Sequence, residues 1–353
     1  MSWSSARAMS AVAVSAAVAM TMLGAASLRQ AAPDVQRRVT AAEAFLATLD
    51  PPKRAKANGE LNAKTRTVWS NLPTGIAMQV GATERNGLKL GDMTPPQERA
   101  ALALLQAALS PEGYEKVMAV VDADEVLEQR SAPSRKPGLA IRFGRVEFYL
   151  AILGKPSTTD PWMLQFGGHH LAINVTSAGR SSVLTPTHTG AQPASFTMQS
   201  RTVRPLGDEN DKAFALINSL SADLQKQATL GATVRNLVLG PGEDGKMIAP
   251  EGVKAAGFTA AQKAALLDLI GEWVRIVGDE AAAAKMAEVK SRLDDTYFAW
   301  AGSTTNGNGA YFRIQGPTVF IEYAPQGNST PPDHIHTIYR DPTNDYAAKA
   351  ATR

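Results

Sequence analysis

Residues 310–323, AYFRIQGPTVFIEY, consist of two alternating stretches on either side of the dipeptide Gly316-Pro317. Successive side chains of a β-strand point to opposite faces, so residues two apart share a face. The apolar face of the predicted hairpin consists of Phe312, Ile314, Val319, Ile321 and Tyr323, and its polar face of Tyr311, Arg313, Gln315 and Glu322. A two-residue connection at Gly316-Pro317 pairs Arg313 with Phe320 and Tyr311 with Glu322. The stretch therefore predicts an antiparallel sheet with one core face and one unusually polar face.

Strands and helices are predicted in separate blocks along the chain. Short apolar or alternating stretches predict strands at 144–154, 162–176, 181–184, 297–301, 310–315, 318–323 and 334–339. Helical spacing and capping residues predict helices at 35–49, after 94–97, at 111–127, at 208–228 and after 259–262. Because strands and helices do not alternate as βαβ units, the sequence predicts an α+β fold. We expect a mainly antiparallel sheet with helices packed on it, in a single domain over residues 28–353.

The N-terminus has the pattern of a secretory signal peptide over residues 1–27. Arg7 precedes an apolar run at 11–23, which is followed by small residues at 24–27. These are the charged, apolar and cleavage regions of such a signal. The run is shorter than the roughly 20 apolar residues that a membrane span needs, so an N-terminal membrane anchor is the less favoured alternative. We therefore expect an exported protein, periplasmic or secreted, without membrane contact once the signal is removed.

Composition excludes several classes of function. The chain has no cysteine, which rules out disulfides, thiolate metal sites and a cysteine nucleophile. Its formal charge of +3 is small and its basic residues are scattered, so we expect no nucleic-acid partner. The sequence contains no serine nucleophile elbow, helical zinc motif or dinucleotide fingerprint. The glycine-rich segment 239–245 lacks the lysine and hydroxyl of a phosphate-binding loop and predicts a surface loop.

The five histidines occur in three places: the doublet His169-His170, the single His188, and the pair His334 and His336. The pair shares one face of a predicted strand, a spacing suited to holding a metal. In a continuous strand His169 lies on an apolar face and His170 on a small and polar one. His170 is therefore the better third ligand, and His169 is kept as a secondary metal candidate. His188 falls in a predicted loop at 186–193 and is interpreted as structural or exposed, although a loop can bring a further ligand over a sheet.

Charged side chains near these histidines supply the remaining candidates. Glu322 is a candidate fourth ligand or general base, and Arg313 and Arg340 are candidates for stabilising negative charge or holding an anionic substrate. Asp341 or Asn344 can orient a ligating imidazole, but turn and helix-cap chemistry is the favoured interpretation there. Histidine and carboxylate ligation suits zinc, copper or iron as a divalent metal cofactor.

The same motifs resemble those of a known family, catalogued as domain-of-unknown-function family 3500. The resemblance rests on Gly167-Gly168-His169-His170-Leu171-x-x-Asn174, on Thr185-Pro186 through Gly190-Ala191-x-Pro193, on Ala299-Trp300-x-Gly302, on Tyr311-Phe312-Arg313-Ile314, on Ile321-Glu322-Tyr323, and on His334-Ile335-His336-x-x-x-Arg340-Asp341-Pro342-x-x-Asp345-Tyr346. It covers nearly all of the chain from about Val35 onward and implies a single domain. It implies no established activity or cofactor.

Two main hypotheses of function result. The first is an exported metal-dependent enzyme, with hydrolysis as the default reaction and oxidation open if the metal is copper or iron. The second is a non-catalytic periplasmic binding protein whose partner is a metal or a small anionic ligand. A structural or interaction module, with histidines that are merely hydrogen-bonded near strand ends, is a third alternative. The sequence leaves the substrate and the oligomeric state open.

Overall fold

A twelve-stranded sheet forms the centre of the computed structural model, which describes residues 33–76, 85–131, 141–179 and 181–350. The strands are β1 Asn58–Gly59, β2 Leu88–Lys89, β3 Tyr149–Leu153, β4 Trp162–Gly168, β5 Leu171–Ala178, β6 Ser181–Val183, β7 Thr187–Ala191, β8 Phe196–Met198, β9 Arg201–Val203, β10 Val253–Lys254, β11 Tyr297–Gly302, β12 Ala310–Gly316, β13 Val319–Pro325 and β14 Ile335–Arg340. The predicted signal peptide lies outside the described residues.

The strand order is β1-β3-β4-β5-β7-β14-β13-β12-β11-β10, with β2 paired to β3 and β6 paired to β5. Only β1 and β3 pair in parallel among the described strands, and β8 and β9 form a small hairpin of their own. The contact between β7 and β14 joins strands from the two halves of the chain. One sheet therefore runs through the whole fold, and the predicted α+β class with a mainly antiparallel sheet is confirmed.

Helices flank the sheet in the described part of the chain. They are α1 Pro33–Ala47, α2 Pro51–Ala57, α3 Pro95–Ala108, α4 Pro111–Ser131, α5 Gly207–Ser219, α6 Ala222–Ala228, α7 Ala260–Val274 and α8 Asp279–Ser291. The start of α7 is a capping box, in which the Thr259 hydroxyl accepts from the Gln262 amide and the Gln262 side chain accepts from Thr259 N. Within the described ranges, no helix combines the length and apolar character needed to cross a membrane.

The β12–β13 hairpin has the two faces that its alternation predicts, but its register differs. Arg313 lies opposite Glu322, and Gly316 pairs with Val319, so the turn is Pro317-Thr318 instead of Gly316-Pro317. Proline presets the backbone angle of the first central residue of a turn, which explains the difference. Each partner moves by two residues, so both faces keep their members. The apolar face packs into the main core with the helices.

The polar face of the sheet is covered by an irregular segment, residues 230–251, which we call the strap. Leu239 of the strap forms an apolar cluster with Phe320 and Ile338 of the sheet. Leu230 N donates a hydrogen bond of 2.7 Å to Trp300 O at the start of the strap. The predicted surface loop at 239–245 is thus part of the strap and lies over β13 and β14 on the polar face of the sheet.

Close packing of α4 against the segment after α7 gives a first prediction. A Cβ added to Gly113 would lie 2.2 Å from Ile276 O, whereas one added to Gly231 would meet no atom within 4 Å. Overpacking of this kind typically costs about 1–3 kcal/mol. We expect Gly113→Ala to lower the free energy of unfolding by that amount in urea denaturation. The control Gly231→Ala should change it by less than about 0.5 kcal/mol, and equal effects of the two variants would contradict the packing argument.

Candidate metal centre

Three histidine rings from distant parts of the chain meet at the edge of the β7–β14 contact. His170 Nε2 lies 2.8 Å from His334 Nε2, which in turn lies 3.0 Å from His336 Nε2. One ring nitrogen of each residue lies within 4.8 Å of those of the other two. His170 is fully buried, and His334 and His336 are half-buried. The predicted grouping of His170, His334 and His336 is therefore present in the structure, and we call it the histidine trio.

Hydrogen bonding among the rings does not account for this convergence. A neutral imidazole carries one N–H and one acceptor nitrogen, and His334 Nε2 faces two other Nε2 atoms at once. Whether that nitrogen carries the proton or the lone pair, it can form only one linear hydrogen bond, so one of its two contacts is left over. Three ring nitrogens gathered at such separations suit the ligation of one metal ion instead. Zinc–nitrogen bonds of about 2.0–2.1 Å in a tetrahedron put the ligand nitrogens about 3.3 Å apart, close to the spacing seen here.

The environment of the trio keeps its rings neutral, which is the state that ligates metals. Burial, followed by the neighbouring histidines, lowers the pKa of His170 well below its usual value. Burial likewise lowers the pKa of His334 to about 4 and that of His336 to about 2. At neutral pH the three rings are therefore uncharged, and each has one nitrogen with a lone pair that can ligate a metal.

The doublet His169-His170 lies in a turn and not in a strand, so the strand alternation that favoured His170 over His169 does not apply. Gly168 ends β4 and pairs with Leu171, the first residue of β5, so His169 and His170 are the two turn residues between them. His170 has φ of +64°, a conformation that residues with a side chain adopt rarely. Its N–H donates to Asn71 O at 3.0 Å, which holds the turn in place. Because the strand ends before the doublet, alternation does not separate the two rings.

A family comparison supports the resemblance seen in these motifs. The family model described as "Protein of unknown function (DUF3500)" matches residues 31–348. The chain belongs to this family. Among curated proteins and among solved structures no match was found. The chemistry of this DUF3500 protein therefore rests on the geometry of its own residues.

Behind the trio, His169 forms a pair with a carboxylate that the sequence analysis missed. His169 Nδ1 lies 2.6 Å from Asp124 Oδ1, and the ring of His169 stacks on that of His170 with centroids 3.6 Å apart. Asp124 is buried in α4 and also accepts a hydrogen bond from Gly144 N. Asp124 follows Val117, Val120 and Val121 at helical spacing and so lies on the buried face of α4. A carboxylate on an otherwise apolar helix face is a signal by which the sequence could have indicated this residue.

His188 also lies against the trio, and the prediction of a loop around it is wrong. Residues 187–191 form β7, in which His188 lies opposite Ile338 and Gly190 lies opposite His336. His188 is fully buried, and its ring lies edge-on to that of His336 with centroids 5.3 Å apart. All five histidines of this DUF3500 protein thus form one continuous group of rings. Pairing with both β5 and β14 makes residues 187–191 part of the sheet, which the loop-like sequence did not indicate.

Gly190 makes room for the trio, which gives a second prediction. A Cβ at this position would lie 2.7 Å from Ile335 O and 3.2 Å from His170 Cβ. We expect Gly190→Ala to displace the His170 ring and to weaken zinc binding about 10–100-fold, the range typical of residues that orient metal ligands. Zinc affinity measured by competition with a chromophoric chelator tests this. Gly309→Ala, whose new Cβ meets nothing closer than 3.6 Å, should bind zinc as the wild type does.

The three charged candidates of the polar face bind the strap. The Glu322 carboxylate accepts hydrogen bonds from the N–H groups of Val238 and Leu239 and from the Tyr311 hydroxyl. Arg340 donates to the carbonyls of Leu239 and Gly240 and pairs with Asp244 and Asp345. Arg313 pairs with Glu251 at the end of the strap. The roles predicted for Glu322, Arg313 and Arg340 at a metal or substrate stay predictions, and their observed contacts hold the strap on the sheet.

The segment after β14 shows the turn chemistry that its sequence favours. Asp341 Oδ1 accepts hydrogen bonds from the backbone N–H and the hydroxyl of Thr343, and its Oδ2 accepts from Lys285. Asn344 Oδ1 accepts from Lys349 N. These contacts fix the chain after the sheet and do not involve an imidazole.

Proposed function

We propose that this protein binds one divalent transition-metal ion through His170, His334 and His336 and uses it for hydrolysis outside the cytoplasm. The convergence of three Nε2 atoms at separations suited to metal ligation carries the proposal. Neutral imidazoles suit zinc, copper and iron. Zinc is the first choice, because three histidines and one open position form a common catalytic zinc site.

The surroundings of the trio support a catalytic site more than a purely structural one. His334 and His336 are half-buried, so a metal at the trio is accessible to solvent and substrate. Structural zinc sites, in contrast, usually have four protein ligands. A zinc ion held by His170, His334 and His336 would supply Lewis-acid chemistry and a nucleophile for hydrolysis near neutral pH. The His169–Asp124 pair stacks on His170 and restricts its orientation.

Export is part of the same proposal. The charged, apolar and small-residue regions of residues 1–27 support a cleaved signal. The family match starts at residue 31 and α1 starts at Pro33, both just after this region. We expect the mature chain, isolated from the periplasm or the medium, to begin between Ser27 and Asp34 by N-terminal sequencing. An uncleaved chain in the membrane fraction would support the anchor instead.

Metal analysis and a hydrolysis assay test the proposal together. Protein produced with zinc, copper and iron in the medium should contain one equivalent of a transition metal. A panel of ester, amide and phosphate-ester substrates should show activity that a chelator removes and that the metal restores. Protein that contains no metal, and takes up none after purification, would refute the proposal.

Metal binding without catalysis is the second candidate. Two observations favour it. The Glu322 carboxylate is already hydrogen-bonded to the strap and to Tyr311. Among the described residues, the two clusters that are spaced to hold a metal contain one carboxylate, that of Asp124. A general base beside a metal-bound water is therefore not evident among those residues. Stoichiometric metal with no turnover across the substrate panel would favour this candidate.

A further inference from the structure

His188 is buried without hydrogen-bonding partners, which is unusual for an imidazole. Its side chain is fully inaccessible, and neither Nδ1 nor Nε2 has a hydrogen-bond partner among the described residues. Buried polar groups are otherwise nearly always paired, because an unpaired group loses its hydrogen bonds to water without replacement. A neutral imidazole has one nitrogen with a lone pair, and in His188 neither nitrogen is used in a hydrogen bond to a described residue.

The position of His188 places this lone pair beside the trio. His188 and His336 lie on the same face of neighbouring strands, at diagonal positions of the β7–β14 pair. Side chains at diagonal positions are within reach of each other. The two rings are 5.3 Å apart between centroids. His188 lies on the inner side of the trio, because it is fully buried while His334 and His336 are partly exposed.

We propose that His188 is a fourth, inner ligand, which completes the coordination of the metal at rest and leaves when water or substrate binds the metal from the exposed side. This inference rests on the proposed metal site. It gives a role to a polar group that otherwise has no partner. It also accounts for a histidine at a buried position where an apolar side chain would pack without loss.

Ligation requires a modest movement of the ring. His188 is not part of the grouping whose ligand atoms lie within 4.8 Å of one another, whereas ligands of one zinc ion lie about 3.3 Å apart. Ligation therefore requires the His188 side chain to rotate toward His336 while the backbone of β7 stays paired. A coordinate bond then replaces the missing hydrogen bond.

Counting imidazole ligands by X-ray absorption tests the proposal on the full chain loaded with zinc. We expect four imidazoles in the wild type and three in His188→Leu. Three imidazoles in the wild type would overturn the inference and leave the proposed trio intact. A wild-type protein that takes up no zinc would overturn both.

A second measurement separates ligation from packing. In cobalt-loaded protein, azide must displace His188 in the wild type but not in His188→Leu, so we expect azide to bind about tenfold more tightly to the variant, in proportion to the fraction of open sites. Equal azide affinities would contradict displacement.

His188→Leu removes an unpaired polar group, so we expect the metal-free variant to unfold at the same or a higher urea concentration. His188→Gln is the alternative variant for both measurements if leucine prevents folding.

Discussion

Replacing His334 by alanine should lower the zinc affinity of this protein more than 100-fold. His334 Nε2 is the nitrogen that lies near both other trio nitrogens, at 2.8 Å from His170 and 3.0 Å from His336. Loss of groups that only orient a ligand typically costs 10–100-fold in metal affinity, and loss of the ligand itself should cost more. His334 is half-buried, so the substitution leaves the core packed. Zinc affinity measured by chelator competition gives the result directly.

His169→Gln is the matched control for this variant. His169 stacks on the trio and binds Asp124, but its Nδ1 is directed at the carboxylate and not at the other rings. We expect zinc affinity to fall by at most the 10–100-fold of an orienting residue. If His169→Gln lowers zinc affinity more than His334→Ala does, the metal lies between Asp124, His169 and His170. These residues are the second cluster among the described residues that is spaced to hold a metal.

Acidification should destabilise the metal-free protein steeply, already between pH 7 and pH 5. In the folded state, burial lowers the pKa of His170, His188, His334 and His336, whereas in the unfolded chain each titrates near its ordinary value of about 6.5. Below that value the unfolded chain binds protons that the folded protein does not. Stability is therefore full above about pH 6.5 and is lost as the pH falls toward the folded-state values.

The two fully buried rings set the size of this effect. Each of His170 and His188 contributes a slope of up to about 1.4 kcal/mol per pH unit well below pH 6.5. Together they account for up to about 2.7 kcal/mol per unit, and the partly exposed His334 and His336 add less than a full share because solvent screens them. Urea unfolding of chelator-treated protein at pH 7, 6 and 5 measures the slope. His188→Leu should make it shallower, and an unchanged stability at pH 5 would contradict the burial of neutral rings.

The hairpin shows what the sequence predicts well. Alternation in 310–323 assigns the nine side chains of the two predicted faces correctly, because the period of a strand is fixed by backbone geometry. The turn lies one residue further along the chain than the sequence predicts. Each residue therefore pairs two positions away from its predicted partner, and a shift of two residues keeps every side chain on its face. The class of fold and the shared face of His334 and His336 follow from the same local rules.

The parts that the sequence did not predict depend on contacts between distant segments. His169 and His170 fit a strand pattern, but the chain turns there because Gly168 pairs with Leu171. Asp124 and His188 reach the trio through the packing of α4 and the pairing of β7 with β14, neither of which a local pattern specifies. Likewise, Glu322 and Arg340 resemble catalytic groups in sequence, and only the path of the strap shows which backbone groups they hold.

The arrangement of the trio also has a consequence for chain entropy. His170 and His334 are separated by 164 positions in the sequence, and the chain has no cysteine with which to form a covalent cross-link. A metal ion held by both closes a loop of that length. Disulfides that close loops of about 100 residues remove unfolded-state entropy worth about 4.7 kcal/mol. A metal ion held by the trio would thus tie the two halves of the sheet together, and its removal would resemble the reduction of a disulfide.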